Sequence, residues 1–160
     1  MVYTCHYSSP VGILTLESDG NALTGLSFQN KSYSQEDKLP IFDETIKWLE
    51  IYFSGKDPGF TPKLAPDGTV FRKAVWDILL TIPYGKTMSY GQIAKQIAEE
   101  KGMTRMSAQA VGGAVGHNPI PIIIPCHRVI GSDGSLTGFS AGLDLKIRLL
   151  ELEGNNRRLK

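Results

Sequence analysis

A chain of 160 residues with 41% hydrophobic content is long enough for one ordinary domain or two small ones and apolar enough to bury a core. Its net charge of +1 singles out no partner, and no stretch reaches the roughly 18 uninterrupted apolar residues of a membrane span. The start, Met-Val-Tyr-Thr-Cys-His, lacks the basic then apolar pattern of a signal peptide, so the expectation is a soluble protein of the cytoplasm, or of a nucleus if the source has one, with Cys5 and Cys126 as free thiols.

The distribution of charge says more than its sum. Residues 1–68 hold five lysines and no arginine against nine acids, a balance of −4, whereas residues 69–160 hold twelve Lys plus Arg against seven acids, a balance of +5. Such asymmetry suggests two units, the second drawn to a polyanion.

From Val2 to Phe28 the turn signals Ser9-Pro10-Val11-Gly12 and Ser18-Asp19-Gly20-Asn21 separate short strands, and an antiparallel meander of three is expected. Asn30 to Lys38 is polar and reads as a loop. Phe42, Ile46, Leu49 and Phe53 then fall at helical spacing ahead of Gly55, predicting a helix of about 13 residues packed on the sheet. Pro58, Pro62 and Pro66, with Gly59 and Gly68, break the pattern and place a linker there, giving an N-terminal scaffold domain over 1–66 and a second domain over 67–160. Cys5-His6 mirrors Cys126-His127, and four such ligands could in principle hold zinc. Neighbouring side chains on a strand point to opposite faces, however, so Cys5 is read as strand packing and no metal is expected.

In the second half Thr69 is placed to cap a helix carrying Phe71, Ala74, Val75, Ile78 and Leu79, which Pro83-Tyr84-Gly85 ends. Ser89-Tyr90-Gly91-Gln92 fits a capping box, and Tyr90, Ile93, Ala94, Ile97 and Ala98 follow the helical template until Gly102. After a short turn, Ser107 can cap a further helix from Ala108 to Gly116. Helix, turn, second helix is the arrangement that sets a recognition helix on DNA. That second helix is nearly all small residues, and its two interior glycines, Gly112 and Gly113, cost it about 2 kcal/mol relative to alanines. Either something approaches its backbone closely or helices pack tightly against it. A short strand at Arg128–Ile130, a Gly/Ser-rich loop over Thr137–Gly142 and a last helix from Leu143 to Glu153, with Leu143, Ile147 and Leu150 on one face, complete the chain before a polar basic tail.

Asn118-Pro-Ile-Pro-Ile-Ile-Ile-Pro-Cys126-His127-Arg128 is the chemically distinctive stretch. A cysteine reacts as a thiolate, and a neighbouring base or cation lowers its pKa. On a regular strand Cys126 and His127 would face opposite ways, so contact between them needs a kink or an intervening water. Asn118-Pro119 is a turn, from which Asn118 can hydrogen-bond backbone near the cysteine. Read from these residues alone, Cys126 is open as nucleophile, ligand or packing.

Pro125-Cys126-His127-Arg128-Val129, led by Asn118-Pro119 and Val111-Gly112-Gly113-Ala114 and followed by Gly138-Phe139-Ser140 and Leu149-Leu150-Glu151-Leu152-Glu153-Gly154, resembles the signature of the O6-alkylguanine-DNA alkyltransferases. The resemblance implies an α+β chain: a ribonuclease-H-like N-terminal sheet with a helix, then a helical, winged-helix-like domain containing the helix-turn-helix. It implies a monomer acting on double-stranded DNA bearing O6-alkylguanine, and O4-alkylthymine as a further substrate, with no cofactor and no membrane partner. The helix-turn-helix would enter the minor groove and the damaged nucleotide would flip into a pocket. Cys126 would take the alkyl group irreversibly, so that each molecule acts once.

By the same resemblance His127 draws the thiol proton through a water and Glu153 orients it. Asn118 braces the turn, Tyr90 hydrogen-bonds the guanine and helps protonate the departing base, and Lys146 supports the site electrostatically. The carbonyls of Cys126 and Val129 meet the guanine amino group, the backbone of Ser140 meets O6, and Phe139 and Ala141 shape the pocket. Gln109, Ala110, Gly112, Gly113 and Arg128 fall on the DNA side, Arg128 mainly as a tie to neighbouring acids. This chain departs from the family pattern where Gln109 replaces an intercalating arginine, Phe139 a common tyrosine and Ala141 a frequent glycine, and a few extra residues separate Tyr90 from Gln109. Three rivals stand beside this reading: a non-catalytic alkyltransferase-like damage binder, a helix-turn-helix regulator and a cysteine hydrolase.

Overall fold

Strong turn formers at Ser9–Gly12 and Ser18–Ala22 cut the first segment into β1 (Tyr3–Ser9), β2 (Gly12–Ser18) and β3 (Leu23–Ser27), an antiparallel sheet in the order β1-β2-β3. The computed structural model describes residues 2–28, 36–136 and 142–154, and the chain divides into two compact units, Met1–Asp67 and Gly68–Lys160. Cys5 pairs with Leu16, and Leu16 with Leu26, so the three share one face and are all buried. Burial, with Glu36, Asp43 and Asp37 adding to it, pushes the Cys5 thiol up to about 12, as suits a packing residue.

The helix α1 (Pro40–Phe53) opens on a proline at its first turn, where no amide is missed. Its buried face is Ile41, Phe42, Thr45, Trp48, Leu49 and Tyr52, rotated from the expected Phe42-Ile46-Leu49-Phe53 line. Trp48 and Tyr52 cause the rotation. Their rings stack at 5.2 Å, and Trp48 Nε1 donates to the Phe60 carbonyl at 2.8 Å, so the indole faces inward with its polar atom paired. The proline-rich stretch after α1 is partly structured: Leu64 bridges Leu23 in parallel, with Leu23 N–H donating to Lys63 O and Ala65 N–H to Leu23 O, both at 2.8 Å.

In the second unit Thr69 caps α2 (Val70–Leu79) by accepting from the Arg72 amide. The capping box on Ser89 starts α3 (Tyr90–Glu100), and Ser107 accepts from the Gln109 and Ala110 amides to start α4 (Ala108–Gly116). Ile93 and Ile97 of α3 and Val111 and Val115 of α4 are buried, each contributing about 1.5–3 kcal/mol on burial. Trp76 of α2 is 2% exposed and donates Nε1–H to Ala114 O at 2.8 Å. A short parallel ladder joins β4 (Met88–Ser89) to β5 (Val129–Ile130), so β5 begins one residue later than expected. The last helix, α5 (Leu143–Leu152), buries Lys146, Leu149 and Leu150 and leaves Leu143 exposed. Its inward face therefore carries a charge, contrary to the apolar line read from the leucines, because the Lys146 ammonium has a carbonyl to bond inside. Among the described residues no helix is long and apolar enough to cross a membrane.

Candidate active site

The segment leading to Cys126 is held by one side chain. Asn118 Oδ1 accepts from the Ile120 amide at 2.9 Å and Asn118 Nδ2 donates to the Ile124 carbonyl at 2.8 Å. Between those anchors Ile120, Ile122, Ile123 and Ile124 are all buried. Ile122 has φ 74, the one positive value outside glycine among the described residues. A β-branched residue there costs about 1–3 kcal/mol and persists only where its surroundings hold it; a fully buried side chain inside the Asn118 clamp supplies that hold.

Pro125 then turns the chain sharply. With φ −81 and ψ 67 it centres an inverse γ-turn, and the Cys126 amide donates back to Ile124 O at 2.7 Å. Cys126–Arg128 continue as a 3-10 turn, not as the strand whose alternation was expected to separate Cys126 from His127. Successive side chains in such a turn are spread by about 120°. Cys126 and His127 are both buried.

Glu153 gathers this turn. Its Oε2 lies 2.6 Å from His127 Nε2 and 3.2 Å from Arg128 Nη2, while its Oε1 accepts from Arg128 Nε at 2.8 Å and from the Gly85 amide at 3.1 Å. Burial alone would push this carboxyl up, but His127 and Arg128 together hold it down to about 2. An ionised carboxylate only accepts, so Nε2 of His127 is the protonated ring nitrogen and the lone pair sits on Nδ1. Burial, the leading cause, lowers the His127 pKa, and the imidazole is neutral at neutral pH. Arg128, expected partly on the DNA side, is 8% exposed and spends its guanidinium on Glu153 and, through Nη1 at 2.7 Å, on the Ile82 carbonyl. Its place is inside the unit, as a tie.

Cys126 is 5% exposed, and burial pushes its thiol up to about 11 against the opposing pull of Asn118, the Lys146 charge and the Cys126 and His127 amides. At rest desolvation outweighs the cation and the other groups that would lower the thiol pKa. Lys146 is 1% exposed, donates Nζ–H to Val129 O at 2.6 Å, and is brought down to about 8 by burial, with the Cys126 charge opposing. The β4–β5 ladder sets Tyr90, the first residue of α3, beside this segment. Its phenol pKa is raised by burial and then by the charge of Cys126, which keeps it a proton donor.

On α4 the buried side is Val111, Ala114 and Val115, while Gln109, Ala110 and Gly113 are exposed and Gly112 is half-buried. A Cβ at Gly112 would make ordinary contact with the Tyr90 ring at 3.9 Å, and one at Gly113 would meet no atom within 4 Å. Neither glycine is required by packing within the unit, which removes the tight-packing explanation for them. Phe139, Ser140 and Ala141 lie outside the described residues. Sequence reasoning missed Ile82, Tyr84 and Gly85, whose Pro-Tyr-Gly motif reads only as a helix stop: backbone donors and acceptors carry no signature in residue type.

Two family models match the chain: residues 1–66 fit the ribonuclease-like domain, and residues 70–155 the DNA binding domain, of 6-O-methylguanine DNA methyltransferase. The methylated-DNA–protein-cysteine methyltransferase of Haemophilus influenzae is 43% identical over 95% of this chain and 86% of its own length. That of Methanosarcina acetivorans is 43% identical over 96% of this chain and 99% of its own. Among solved structures, Mycobacterium tuberculosis OGT in complex with DNA superposes with a TM-score of 0.82 at 43% identity, covering 98% of this chain and 94% of that one.

Proposed function

The chain belongs to the 6-O-methylguanine DNA methyltransferase family, and on that footing we propose that it repairs DNA by moving the alkyl group of O6-alkylguanine onto Cys126, once per molecule. The observation that carries the reading is the buried His127–Glu153 pair at 2.6 Å, with His127 in the same turn as a buried thiol. A thiol held at about 11 is ionised in roughly one molecule in ten thousand at pH 7. The resting protein thus carries a protected nucleophile, and its proton has to leave as the alkyl carbon arrives.

A neutral imidazole with its lone pair on Nδ1 is the base for that step. The Cys126 proton passes through a water to His127 Nδ1, the sulfur bonds to the alkyl carbon, and the carbon–O6 bond breaks with its electron pair staying on the guanine. Glu153 stabilises the imidazolium so formed, Lys146 offsets charge developing on sulfur, and the Tyr90 hydroxyl gives the departing base a proton. The products are an S-alkylcysteine and an intact guanine. A thioether has no leaving tendency under these conditions, so the acceptor is not regenerated.

On the DNA side, Gln109, Ala110, Gly112 and Gly113 form the surface that approaches the minor groove, Gln109 filling the space of the flipped nucleotide. The open space over Gly113 supports that assignment. Asn118 is proposed as the brace that fixes Cys126, Val129 as a carbonyl acceptor for the guanine amino group, Ser140 as the backbone donor to O6, and Phe139 and Ala141 as residues that shape the pocket. The protein is proposed to act as a monomer in the compartment that holds the DNA.

Incubation with a duplex oligonucleotide carrying O6-methylguanine, followed by intact-mass and peptide analysis, tests the reading. A gain of one methylene on the peptide containing Cys126, absent in Cys126→Ala, is the expected result. Tight binding without mass gain would favour a non-catalytic damage binder, and transfer by Cys126→Ala would overturn the mechanism.

A further inference from the structure

One short turn contacts the carboxylate behind His127, the backbone next to it and the guanidinium that shares it. The Lys86 amide donates to Pro83 O at 3.0 Å, closing a turn in which Gly85 has φ 80, the positive value a type II turn needs at its third residue. From this turn the Gly85 amide reaches Glu153 Oε1 at 3.1 Å, and the Tyr84 hydroxyl reaches Leu152 O at 3.4 Å. The Tyr84 ring lies 5.7 Å from the centre of the Arg128 guanidinium, whose Nη1 donates to Ile82 O just before the turn. A Cβ on residue 85 would come 3.2 Å from the Glu153 backbone carbonyl, so a side chain there would crowd the backbone from which the carboxylate hangs.

We propose that the Tyr84–Gly85 turn is the positioning element of the proton relay: it holds Glu153 by Oε1, the oxygen that His127 does not use, and through Glu153 it selects the His127 tautomer with its lone pair on Nδ1. Gly85 does this with a backbone N–H that only a positive-φ residue presents in this place. Tyr84 does it by covering the guanidinium that shares the carboxylate. The inference rests on the reading of His127 as the base for Cys126. It adds two residues that touch neither sulfur nor base and act through another side chain.

The test combines rate and spectroscopy on Gly85→Ala, Tyr84→Leu and the conservative Tyr84→Phe, in wild-type and Glu153→Gln backgrounds. Single-turnover methyl transfer is expected to fall on the order of tenfold in Gly85→Ala and Tyr84→Leu, as for a small misplacement of a catalytic group, with DNA affinity unchanged. Tyr84→Phe, which keeps the ring, is expected to stay within about twofold of wild type. In the Glu153→Gln background the same changes are expected to cost nothing further, because the group they position is already lost. Imidazole nitrogen shifts of His127 are expected to show the Nε2–H tautomer in wild type and a mixture in Gly85→Ala. Additive losses, or folded variants with wild-type rate and tautomer, would overturn the proposal.

Should a variant fail to fold, amide hydrogen exchange at Gly85 in the unmodified protein decides: a protected amide supports the bond to Glu153 and a freely exchanging one refutes it. Wild-type protein that takes up no methyl group would sink the functional reading instead, while tautomer and exchange would still judge the turn.

Discussion

Glu153 holds two consecutive residues with one carboxylate, Oε2 lying 2.6 Å from His127 Nε2 and Oε1 lying 2.8 Å from Arg128 Nε. His127 and then Arg128 keep Glu153 ionised, and the ionised Glu153 in turn dictates which nitrogen of His127 is basic. Glu153→Gln removes both effects and strands a buried guanidinium. It is expected to cost about 3–5 kcal/mol of stability, read from urea unfolding, and to slow methyl transfer by roughly 10²–10⁴-fold. The carboxyl sits at about 2 in the folded state against an ordinary 4.5, so its contribution to stability is complete above pH 4.5 and is lost as the pH falls toward 2. That acid limb is expected to be reduced in Glu153→Gln.

Cys126 gives a second pH dependence of opposite sense. Its thiol is raised from 9.0 to about 11, so the folded state favours the protonated form. Alkylation of the free protein by iodoacetamide is expected to be slower than that of an unperturbed thiol at pH 8 and to climb until about pH 11. Methyl transfer from DNA, where the relay removes the proton, is expected to proceed at pH 7. Rapid iodoacetamide labelling of Cys126 at pH 7 would show that the thiolate is present at rest.

Elements with strong local signals were legible in the sequence. The capping box at Ser89 and the cap at Ser107 fix the two helices of the helix-turn-helix, and hydroxyl caps act within three residues. Faces set by long-range partners were not. Trp48 turns α1 toward Phe60 because a distant carbonyl satisfies its indole, and Lys146 turns α5 inward because Val129 offers another. The strand expected from Arg128 begins only at Val129 because Cys126–Arg128 form a 3-10 turn after Pro125, whose γ-turn dihedrals residue type alone does not announce. Family resemblance, not spacing, brought Glu153 and Tyr90 to Cys126. Ile82, Tyr84 and Gly85 stayed hidden since two of the three act through backbone atoms.

Gln109 is exposed one turn before Gly113 and carries no charge. An arginine there would release about one further counterion from the duplex, so Gln109→Arg is expected to steepen the slope of log affinity against log salt by about 0.9 and to tighten binding at low salt. Titration of a fluorescent duplex across a salt series measures both. An unchanged slope would place residue 109 away from the phosphates.

Gly113 separates the stability of α4 from its use. A Cβ at this position meets no atom within 4 Å, and the residue lies mid-helix, where glycine costs backbone entropy. Gly113→Ala is therefore expected to stabilise the protein by about 0.5–1 kcal/mol, seen as a higher midpoint in urea. Residue 113 is exposed, and Gly113→Leu keeps a good helix former, so it too is expected to fold. Against DNA the order is expected to reverse, since on the proposed minor-groove surface any side chain here would hold the backbone away from the groove. Gly113→Leu is expected to lose about tenfold in duplex affinity, ~1.4 kcal/mol, and Gly113→Ala less. Iodoacetamide labelling of Cys126, which needs no DNA, is expected to be unaffected in both. Stabilised variants that bind duplex as well as wild type would mean that this face of α4 does not meet the DNA, and the surface defined by Gln109, Ala110, Gly112 and Gly113 would have to be redrawn.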